Sequence, residues 1–285
     1  MFDLDAYLER IGLSGSPTVE QVHRAHCTSI PFESLDPLMG LSVSLDTDEV
    51  FDKLVRRRRG GYCFEQNLLL AEALGALGAE VDLHLARVLR GSDPQAPRAR
   101  SHLLLAVSLG DRRLLADVGF GGGTLLEPLP WDPGEVHQQA GWHHRVIERG
   151  PEHVLQTLRE EGWTDDYSFL PHPVPAVELE PANWWTSTNP ASRFVSGFLV
   201  ARQWLDGRRL VLSDWSELCL TDSTAERSTV TPVTREQIPE LLCERFELPG
   251  FVLGERMGGL RARPPVLASL EPWSALPQPH SRPAR

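Results

Sequence analysis

Hydrophobic positions in the first 80 residues recur every three to four residues, which is the period of an amphipathic helix. Gly12 ends the first such run, and Pro31 ends the second. Thr18 can accept hydrogen bonds from the free N–H groups at the start of the second helix. The pattern predicts helices over residues 2–12, over residues 18–28, from Asp46 or Thr47 through Leu54, and over residues 63–77.

Beyond residue 80 the apolar positions alternate, or run in short stretches between turn residues, as in β-strands. The segment LGDR (109–112) between two of these stretches predicts a hairpin turn. Helical spacing returns over residues 192–204 and over residues 234–248, where Thr234 can act as the cap. We therefore expect helices followed by a β-barrel or a strongly twisted sheet. The predicted strands cover residues 81–90, 102–109, 112–120, 143–149, 153–160 and 208–214.

The chain of 285 residues is 41% hydrophobic and 24% charged, as in ordinary globular proteins, and its length predicts two or three packed sub-domains. A net charge of −11 argues against general binding to nucleic acid or to anionic membranes. The acidic start MFDLDAYLER is unlike a secretory signal, and no apolar run reaches the length of about 18 residues that a membrane span needs. We expect a cytoplasmic protein that binds neither nucleic acid nor membrane.

The four cysteines form no CxxC pair and lie far apart, at positions 27, 63, 219 and 243. This spacing argues against a zinc site or a disulfide framework. His23 and His26 lie close to Cys27, but no second pair of ligands with metal spacing follows, so we expect a helix surface there and no metal site. Cys219 and Cys243 are expected to be buried thiols.

The segment RGGYCFEQN (59–67) is the most informative part of the chain. Two glycines form a turn that leads into a helix beginning near Cys63. The N-terminus of a helix presents free N–H groups and the positive end of the helix dipole, and both favour a thiolate. The same N–H groups can stabilise an oxyanion on an attacked carbonyl. The alternative is a buried cysteine that only packs against the core.

Two further residues complete a candidate catalytic set. His102 starts one predicted strand, and Asp117 ends the next one. Adjacent hairpin strands can bring the two side chains together and within reach of Cys63. A histidine supplies a base near neutral pH, and an aspartate fixes its tautomer and stabilises the imidazolium. Alone, His102 is an ordinary strand histidine and Asp117 a turn residue; together with Cys63 they predict a Cys–His–Asp triad.

With these residues the chain resembles the arylamine N-acetyltransferase family, clearly over residues 1–220. The segments that carry the resemblance agree in order and spacing: IPFESLD (30–36), RRGGYCFEQN (58–67), ARV (86–88), SHLLLAV (101–107), LADVGFGG (115–122) and NWWTSTNPASRFV (183–195). The resemblance implies an α+β fold with an N-terminal helical bundle, a central β-barrel and a C-terminal α/β lid. The implied boundaries are 1–80, 81–190 and 191–261, and residues 262–285, rich in proline, are expected to be a disordered tail.

The resemblance also implies the activity. Cys63 takes an acetyl group from acetyl-CoA as a thioester and passes it to an aromatic amine or hydrazine, with no permanently bound cofactor and no metal. Asn67 matches a residue that hydrogen-bonds the triad aspartate. The residues that match the acceptor pocket are Phe32, Val88, Phe120 and Phe194. Those that match the region nearest the acyl donor are Ser101, Gly121, Gly122 and Gly123.

The chain departs from the family at several positions around this site. Ser34 stands where the family usually has Asn, Trp185 where it has Tyr, Asn189 where many bacterial members have His, and Arg90 where it often has Trp beside the acyl-donor cleft. The basic run Arg56–Arg59 can contact the phosphates of coenzyme A. We favour a solvated helix end with an internal ion pair, for example between the last arginine and Glu33.

Two other activities use the same triad. One is an amide synthase that takes a polyketide chain from an acyl carrier protein and closes a macrolactam. The other is a thiol hydrolase that releases the acid without an amine. The sequence leaves open the physiological amine, the acyl chain and its carrier, the oligomeric state and the role of the tail.

Overall fold

Helices form most of the N-terminal part of the chain in the computed structural model, which describes residues 2–91 and 97–248. Thr18 caps the second helix by accepting the Gln21 N–H, and Asp46 caps the fourth, so both predicted helix starts are confirmed. A π-helical turn, Asp52–Arg56, continues the fourth helix. The helices are α1 (Leu4–Arg10), α2 (Val19–Ser29), α3 (Leu35–Leu38), α4 (Thr47–Phe51) and α5 (Cys63–Ala76).

The central part of the chain forms an eight-stranded antiparallel sheet that curls into a nearly closed barrel. Its strand order is β5-β4-β3-β2-β9-β8-β7-β6. The predicted hairpin turn is confirmed, because Leu109 pairs with Arg112 and Gly110 has a left-handed φ of 58°. The strands are β2 (Glu80–Val88), β3 (His102–Leu109), β4 (Arg112–Ala116), β5 (Leu129–Pro130), β6 (His137–Gln139), β7 (Trp142–Arg149), β8 (Glu152–Arg159) and β9 (Gly162–Phe169).

The C-terminal α/β region builds a second sheet together with one strand from the helical part. Strand β1 (Phe32–Glu33) pairs with β10, with Phe32 opposite Ala201, and the order is β1-β10-β11-β12-β13. The α+β fold class is thereby confirmed. The elements of this region are α6 (Leu179–Thr188), α7 (Arg193–Ser196), β10 (Leu199–Gln203), β11 (Arg209–Ser213), β12 (Cys219–Ser223), β13 (Ser228–Pro232) and α8 (Ile238–Glu244).

The helix predicted over residues 192–204 is wrong in its second half. Helix α7 ends at Ser196, and the residues from Leu199 form strand β10 between β1 and β11. Gly197 is extended and tightly packed, since a Cβ there would lie 2.6 Å from Asp214 Oδ1. Tertiary pairing therefore overrides the local helical spacing.

Burial corrects two further predictions. His23, His26 and Cys27 lie in the core between the helices and the barrel, with both histidines 0% exposed, and do not form a helix surface. Cys243 was expected to be buried and is exposed, whereas Cys219 is half-buried. The predicted tail, residues 262–285, lies outside the described residues. Among the described helices none has the length and apolar character to cross a membrane.

Candidate active site

The structure places Cys63 at the first residue of α5, almost fully buried. Glu65 holds the helix start, because its carboxylate accepts the Tyr62 N–H at 3.0 Å. Gly61 lets that carboxylate approach, since a Cβ there would lie 2.8 Å from Glu65 Oε2. The thiol lies 3.7 Å from the Ser101 carbonyl oxygen, directly before β3. The thiol is thus carried by the first turn of a helix, where backbone N–H groups are free, and lies next to the start of a barrel strand.

His102 and Asp117 meet because β3 and β4 are neighbours in the barrel, with Leu105 opposite Ala116. Nε2 of His102 lies 2.7 Å from Oδ2 of Asp117, and both side chains are buried. The Cys63 thiol lies close enough to the imidazole to raise the pKa of His102. The structure therefore brings the three residues singled out in the sequence together, with a hydrogen bond between the imidazole and the carboxylate.

The electrostatics of this line favour a charged imidazole. Burial lowers the pKa of His102, but the negative charge of Asp117, its hydrogen bond and the contact with Cys63 outweigh burial and raise that pKa to about 10. Burial raises the pKa of Asp117, whereas the charge of His102 and the hydrogen bonds around the carboxylate hold it below its usual value. An imidazolium beside the sulfur stabilises a thiolate.

Asp117 is held by three groups besides His102. Asn67 Nδ2 donates to Oδ1 at 3.0 Å, and the Gly119 N–H donates to the same oxygen at 2.9 Å. Asn67 also accepts the Val118 N–H. His23 Nε2 accepts the backbone N–H of Asp117 at 3.1 Å. Sequence reasoning found Asn67 and missed His23, because no local pattern shows that a histidine of α2 reaches the end of β4.

Tyr167 is a second residue that sequence reasoning missed. This fully buried side chain of β9 packs against the His102 ring, with ring centroids 5.0 Å apart. Phe120 meets His102 edge-on at 5.1 Å and Tyr167 at 4.9 Å. The imidazole thereby packs against two aromatic rings that also contact each other, and these contacts restrict its orientation. The only sequence signal for Tyr167 was an aromatic residue in a strand, which is common in cores.

A cavity of about 1260 Å³ opens beside the sulfur. Of the eight residues that match the pocket and acyl-donor positions of the family, seven line it: Phe32, Val88, Ser101, Phe120, Gly121, Gly122 and Phe194. Gly123 is buried and lies beneath the guanidinium of Arg90, which occupies the space that a Cβ at Gly123 would need. Arg90, Arg98, Arg159, Arg193 and Arg227 also line the cavity, as do Glu160, Glu161 and Glu226.

The end of the basic run forms the predicted ion pair. Arg59 Nη2 lies 2.5 Å from Glu33 Oε1 and 2.7 Å from Asp36 Oδ1. Lys53, the single lysine of the chain, is buried in the same network, 2.6 Å from Glu65 and 2.7 Å from Asp36. Within residues 2–91 and 97–248 no cluster of three or more His, Cys, Asp or Glu side chains is arranged to hold a metal ion.

Known proteins share both the sequence and the fold of this chain. A family model described as N-acetyltransferase matches residues 17–250. The arylamine N-acetyltransferase of Mycolicibacterium smegmatis is 41% identical over 242 residues, which cover 79% of this chain and 88% of that protein. The arylamine N-acetyltransferase of Escherichia coli is 35% identical over 217 residues, which cover 74% of this chain and 77% of that protein.

Solved structures agree with these relatives. The M. smegmatis arylamine N-acetyltransferase superposes with a TM-score of 0.82 at 36% identity, covering 93% of this chain and 96% of that one. The Mycobacterium marinum arylamine N-acetyltransferase in complex with CoA superposes with a TM-score of 0.82 at 34% identity, covering 92% and 96%. Fold and sequence together define an enzyme of the N-acetyltransferase class. The chain belongs to the arylamine N-acetyltransferase family.

Proposed function

We propose that this enzyme transfers an acetyl group from acetyl-CoA, through a thioester on Cys63, to the nitrogen of an aromatic amine or hydrazine. The observation that carries the proposal is the buried, hydrogen-bonded pair of His102 and Asp117 with the Cys63 thiol beside it, at the wall of a large cavity. The relatives support the chemistry of both substrates, because they are arylamine N-acetyltransferases and one of them binds CoA.

In the first half-reaction the Cys63 sulfur attacks the thioester carbonyl while His102 holds the thiol proton. The carbon–sulfur bond to coenzyme A breaks, and His102 returns the proton to the departing thiolate. Asp117 keeps the imidazolium in place, and Asn67, His23 and the Gly119 N–H keep Asp117 in place. Backbone N–H groups at the start of α5 stabilise the oxyanion of the tetrahedral intermediate.

In the second half-reaction the amine nitrogen attacks the acetyl-cysteine carbonyl. His102 takes the proton that the nitrogen loses and returns it to the Cys63 sulfur as the carbon–sulfur bond breaks. The products are an amide and the free enzyme. Phe32, Val88, Phe120 and Phe194 offer apolar and aromatic walls for a flat ring, and Ser101, Gly121 and Gly122 face the acyl donor.

Four free cysteines and a thiol nucleophile fit a reducing compartment, which supports a cytoplasmic location. The exposure of these cysteines also determines which variant serves as the control for an acetylation experiment. Cys63 and Cys27 are buried, and Cys243 is the exposed thiol that could react without catalysis. Lys53 is buried in ion pairs, so it does not compete as an acyl acceptor.

The test is the intact mass of the protein after brief exposure to acetyl-CoA. We expect one acetyl group on the wild type and on the matched control Cys243→Ala, and none on Cys63→Ala. Addition of an arylamine should remove the group and yield the acetylated amine. Acetylated Cys63→Ala, or full activity of that variant, would overturn the assignment.

The two alternatives are separate outcomes of the same experiment. Loss of the acetyl group as free acetate, at a rate that the amine does not change, identifies a thiol hydrolase. Failure to accept acetyl from CoA, together with acylation from an acyl carrier protein, identifies an amide synthase.

A further inference from the structure

A chain of buried hydrogen bonds runs from α1 to the glycine turn that precedes the nucleophile. The Tyr7 hydroxyl lies 2.8 Å from His26 Nδ1, and His26 Nε2 lies 2.7 Å from Gln66 Oε1. Gln66 Nε2 then donates to two backbone carbonyl oxygens, that of Pro31 at 2.9 Å and that of Gly61 at 3.2 Å. The three side chains are fully buried, and the proposed mechanism uses none of them.

The direction of each hydrogen bond in this chain is fixed by its last step. A carbonyl oxygen only accepts, so the amide nitrogen of Gln66 must face Pro31 and Gly61, and its oxygen must face His26. Burial lowers the pKa of His26 to about 3, so the ring is neutral and carries one proton. That proton sits on Nε2, where the Gln66 oxygen accepts it, and Nδ1 accepts the Tyr7 hydroxyl. His26 and Tyr7 therefore hold the Gln66 amide in one orientation.

One of the two carbonyls belongs to the peptide unit directly before the nucleophile. The Gly61 carbonyl oxygen also accepts the Glu33 N–H at 3.0 Å. The N–H of the same peptide unit, that of Tyr62, donates to Glu65 at 3.0 Å. The peptide is thus held at its C=O and at its N–H. Since Cys63 follows it immediately, the orientation of this peptide sets the direction in which α5 starts.

The other carbonyl ties a wall of the cavity to the same turn. Pro31 precedes Phe32, which lines the cavity and forms a parallel β-bridge with Gly61. A Cβ at Gly60 would collide with the Pro31 carbonyl oxygen, so the turn lies directly on this carbonyl. The single amide group of Gln66 therefore fastens the segment that leads to the nucleophile to the segment that carries an aromatic wall of the cavity.

The side chain of Gln66 is not needed to form α5 itself. Its backbone N–H donates to the Tyr62 carbonyl at 3.0 Å, as in any helix, and the Gly61 carbonyl keeps the Glu33 N–H without Gln66. An apolar side chain of similar length would fill the same core position. The carboxamide instead gives a direction to two peptides outside the helix. A role in stability alone predicts loss of folded protein, whereas a role in positioning predicts a slower reaction in protein that is folded.

We infer that Gln66, oriented by His26 and Tyr7, is a positioning residue for acyl transfer, because it holds the glycine turn so that the Cys63 sulfur and the free N–H groups of α5 meet the acyl carbonyl in the reactive geometry. The inference rests on the proposed function and extends it to a residue outside the lining of the cavity. A misplacement of about 1 Å at a reacting centre can cost about a hundredfold in rate. Both half-reactions use the same carbonyl position on the sulfur, so both should slow down.

The test compares Gln66→Met, which keeps the length of the side chain and removes the amide, with the matched control Gln156→Met. Gln156 is also buried and hydrogen-bonded through both amide atoms, to Arg145 and Asp165, and it lies outside the lining of the cavity. In a single turnover we expect Gln66→Met to acetylate Cys63 about tenfold to a hundredfold more slowly and to lose a similar factor in transfer to the amine. Its Kd for CoA, measured by calorimetry, should equal that of the wild type. The control should keep both the rates and the Kd.

His26 provides an independent pair of variants in case Gln66→Met does not fold. His26→Leu removes the donor that orients the Gln66 amide and should slow acetylation about threefold to tenfold, the value of one neutral hydrogen bond. His26→Gln places an amide N–H near the position of Nε2 and should recover most of the rate. Equal rates in the two variants would contradict the role of His26.

Amide hydrogen exchange separates this inference from the proposed function. Exchange over residues 59–64 should be faster in Gln66→Met than in the wild type and unchanged in Gln156→Met. If the wild type is acetylated and Gln66→Met reacts at the same rate, the inference is overturned and the proposed function stands. If the wild type is not acetylated, the proposed function fails, and unchanged exchange in Gln66→Met would then refute the positioning role on its own.

Discussion

His102 and Asp117 are buried residues that keep opposite charges, and each stabilises the charge of the other. The imidazole packs against two aromatic rings, and its pKa is raised to about 10 by the carboxylate against the effect of burial. At neutral pH the imidazole is therefore protonated, and Asp117 is responsible for this state.

Replacement of Asp117 by Asn removes that charge and keeps the shape of the side chain. We expect the pKa of His102 to fall and kcat/KM at pH 7 to drop by up to about ten-thousandfold, the loss caused by the same replacement in a Ser–His–Asp triad. Alkylation of Cys63 by iodoacetamide, followed over pH, should require higher pH in the variant. Asp52→Asn, at an exposed ion pair with Arg57, is the control and should behave as the wild type.

The same pair makes stability depend on pH. The folded-state pKa of His102 lies above its unfolded value of about 6.5, so its contribution is fully present below that pH and is lost as pH rises toward about 10. The measurement is urea unfolding of the single variant Cys63→Ala and of the double variant Cys63→Ala/His102→Gln. Comparison of the two isolates the contribution of His102 in the absence of the thiol. Their difference in unfolding free energy should shrink from pH 6 to pH 10, and a difference that stays constant would contradict the assignment.

Gly119 lets the loop after β4 touch the start of α5. A Cβ there would lie 2.7 Å from the Cys63 Cα and 2.8 Å from Asn67 Nδ2. We expect Gly119→Ala to push the loop away, to cost about 1–3 kcal/mol of stability and to reduce kcat/KM more than tenfold. Gly134→Ala, with nothing within 4 Å of the new carbon, should leave the melting temperature and kcat/KM unchanged.

The site residues that were predicted from the sequence are marked by local patterns, whereas those that were missed are marked only by long-range packing. Cys63 was visible from the glycine turn and the helix behind it, and His102 and Asp117 from two strands joined by a short turn. His23, Tyr167 and Arg159 come from α2, β9 and β8, and only the packing of these elements brings them to the site. Local patterns carry no information on such long-range contacts.

Among the secondary-structure elements, the short π-helical turn after α4 helps to hold the start of α5, where Cys63 lies. Its Lys53 is buried and lies between Glu65 of α5 and Asp36 of α3, with Glu33 of β1 at 3.9 Å. Burial lowers the pKa of Lys53, but the three carboxylates outweigh burial and raise it. One cation thereby joins three elements to the carboxylate that holds the start of α5.

Lys53→Met should break this junction. In this variant Arg59 is the remaining cation near three buried carboxylates. Loss of one partner from a buried charge network costs about 3–5 kcal/mol of stability. We expect a lower urea midpoint and, because the start of α5 loosens, a lower kcat/KM in the fraction that is folded. Arg57→Gln, at an exposed ion pair, should change the unfolding free energy by less than about 1 kcal/mol. Equal losses in the two variants would show that the network has no special role.

Element type was predictable where pattern and cap agree, as for α2, α5 and the hairpin of β3 and β4. The prediction of element type failed where pairing with a strand that is distant in sequence decides the conformation. Residues 199–203 form a strand because β1, more than 160 positions earlier, and β11 pair with them. Helix α6 was not predicted; it begins with Leu-Glu-Pro, and a proline in the first turn is compatible with a helix.

At the scale of the whole molecule, the cavity is built by all three parts of the fold. Phe194 of α7 shows this most directly. Its ring contacts Phe32 of β1 at 6.1 Å, Tyr62 before α5 at 5.9 Å and Trp215 after β11 at 5.8 Å. Barrel residues such as Val88 and Phe120 close another side of the cavity. The cavity therefore forms only when the helical part, the barrel and the C-terminal region are assembled.

Phe194→Ala tests whether this assembled wall binds the acceptor. Each aromatic pair contributes about 0.5–1.5 kcal/mol, so we expect KM for a small arylamine to rise roughly three- to tenfold, with a smaller rise for a polycyclic amine that reaches the remaining walls. The rate of Cys63 acetylation should change less than KM for the amine, because among the described residues the ring of Phe194 contacts the rings of Phe32, Tyr62 and Trp215 and not the His102 imidazole. Trp184→Ala, which removes a ring that is 64% exposed on α6, is the matched control and should leave both quantities unchanged. An unchanged KM in Phe194→Ala would place the acceptor elsewhere in the cavity.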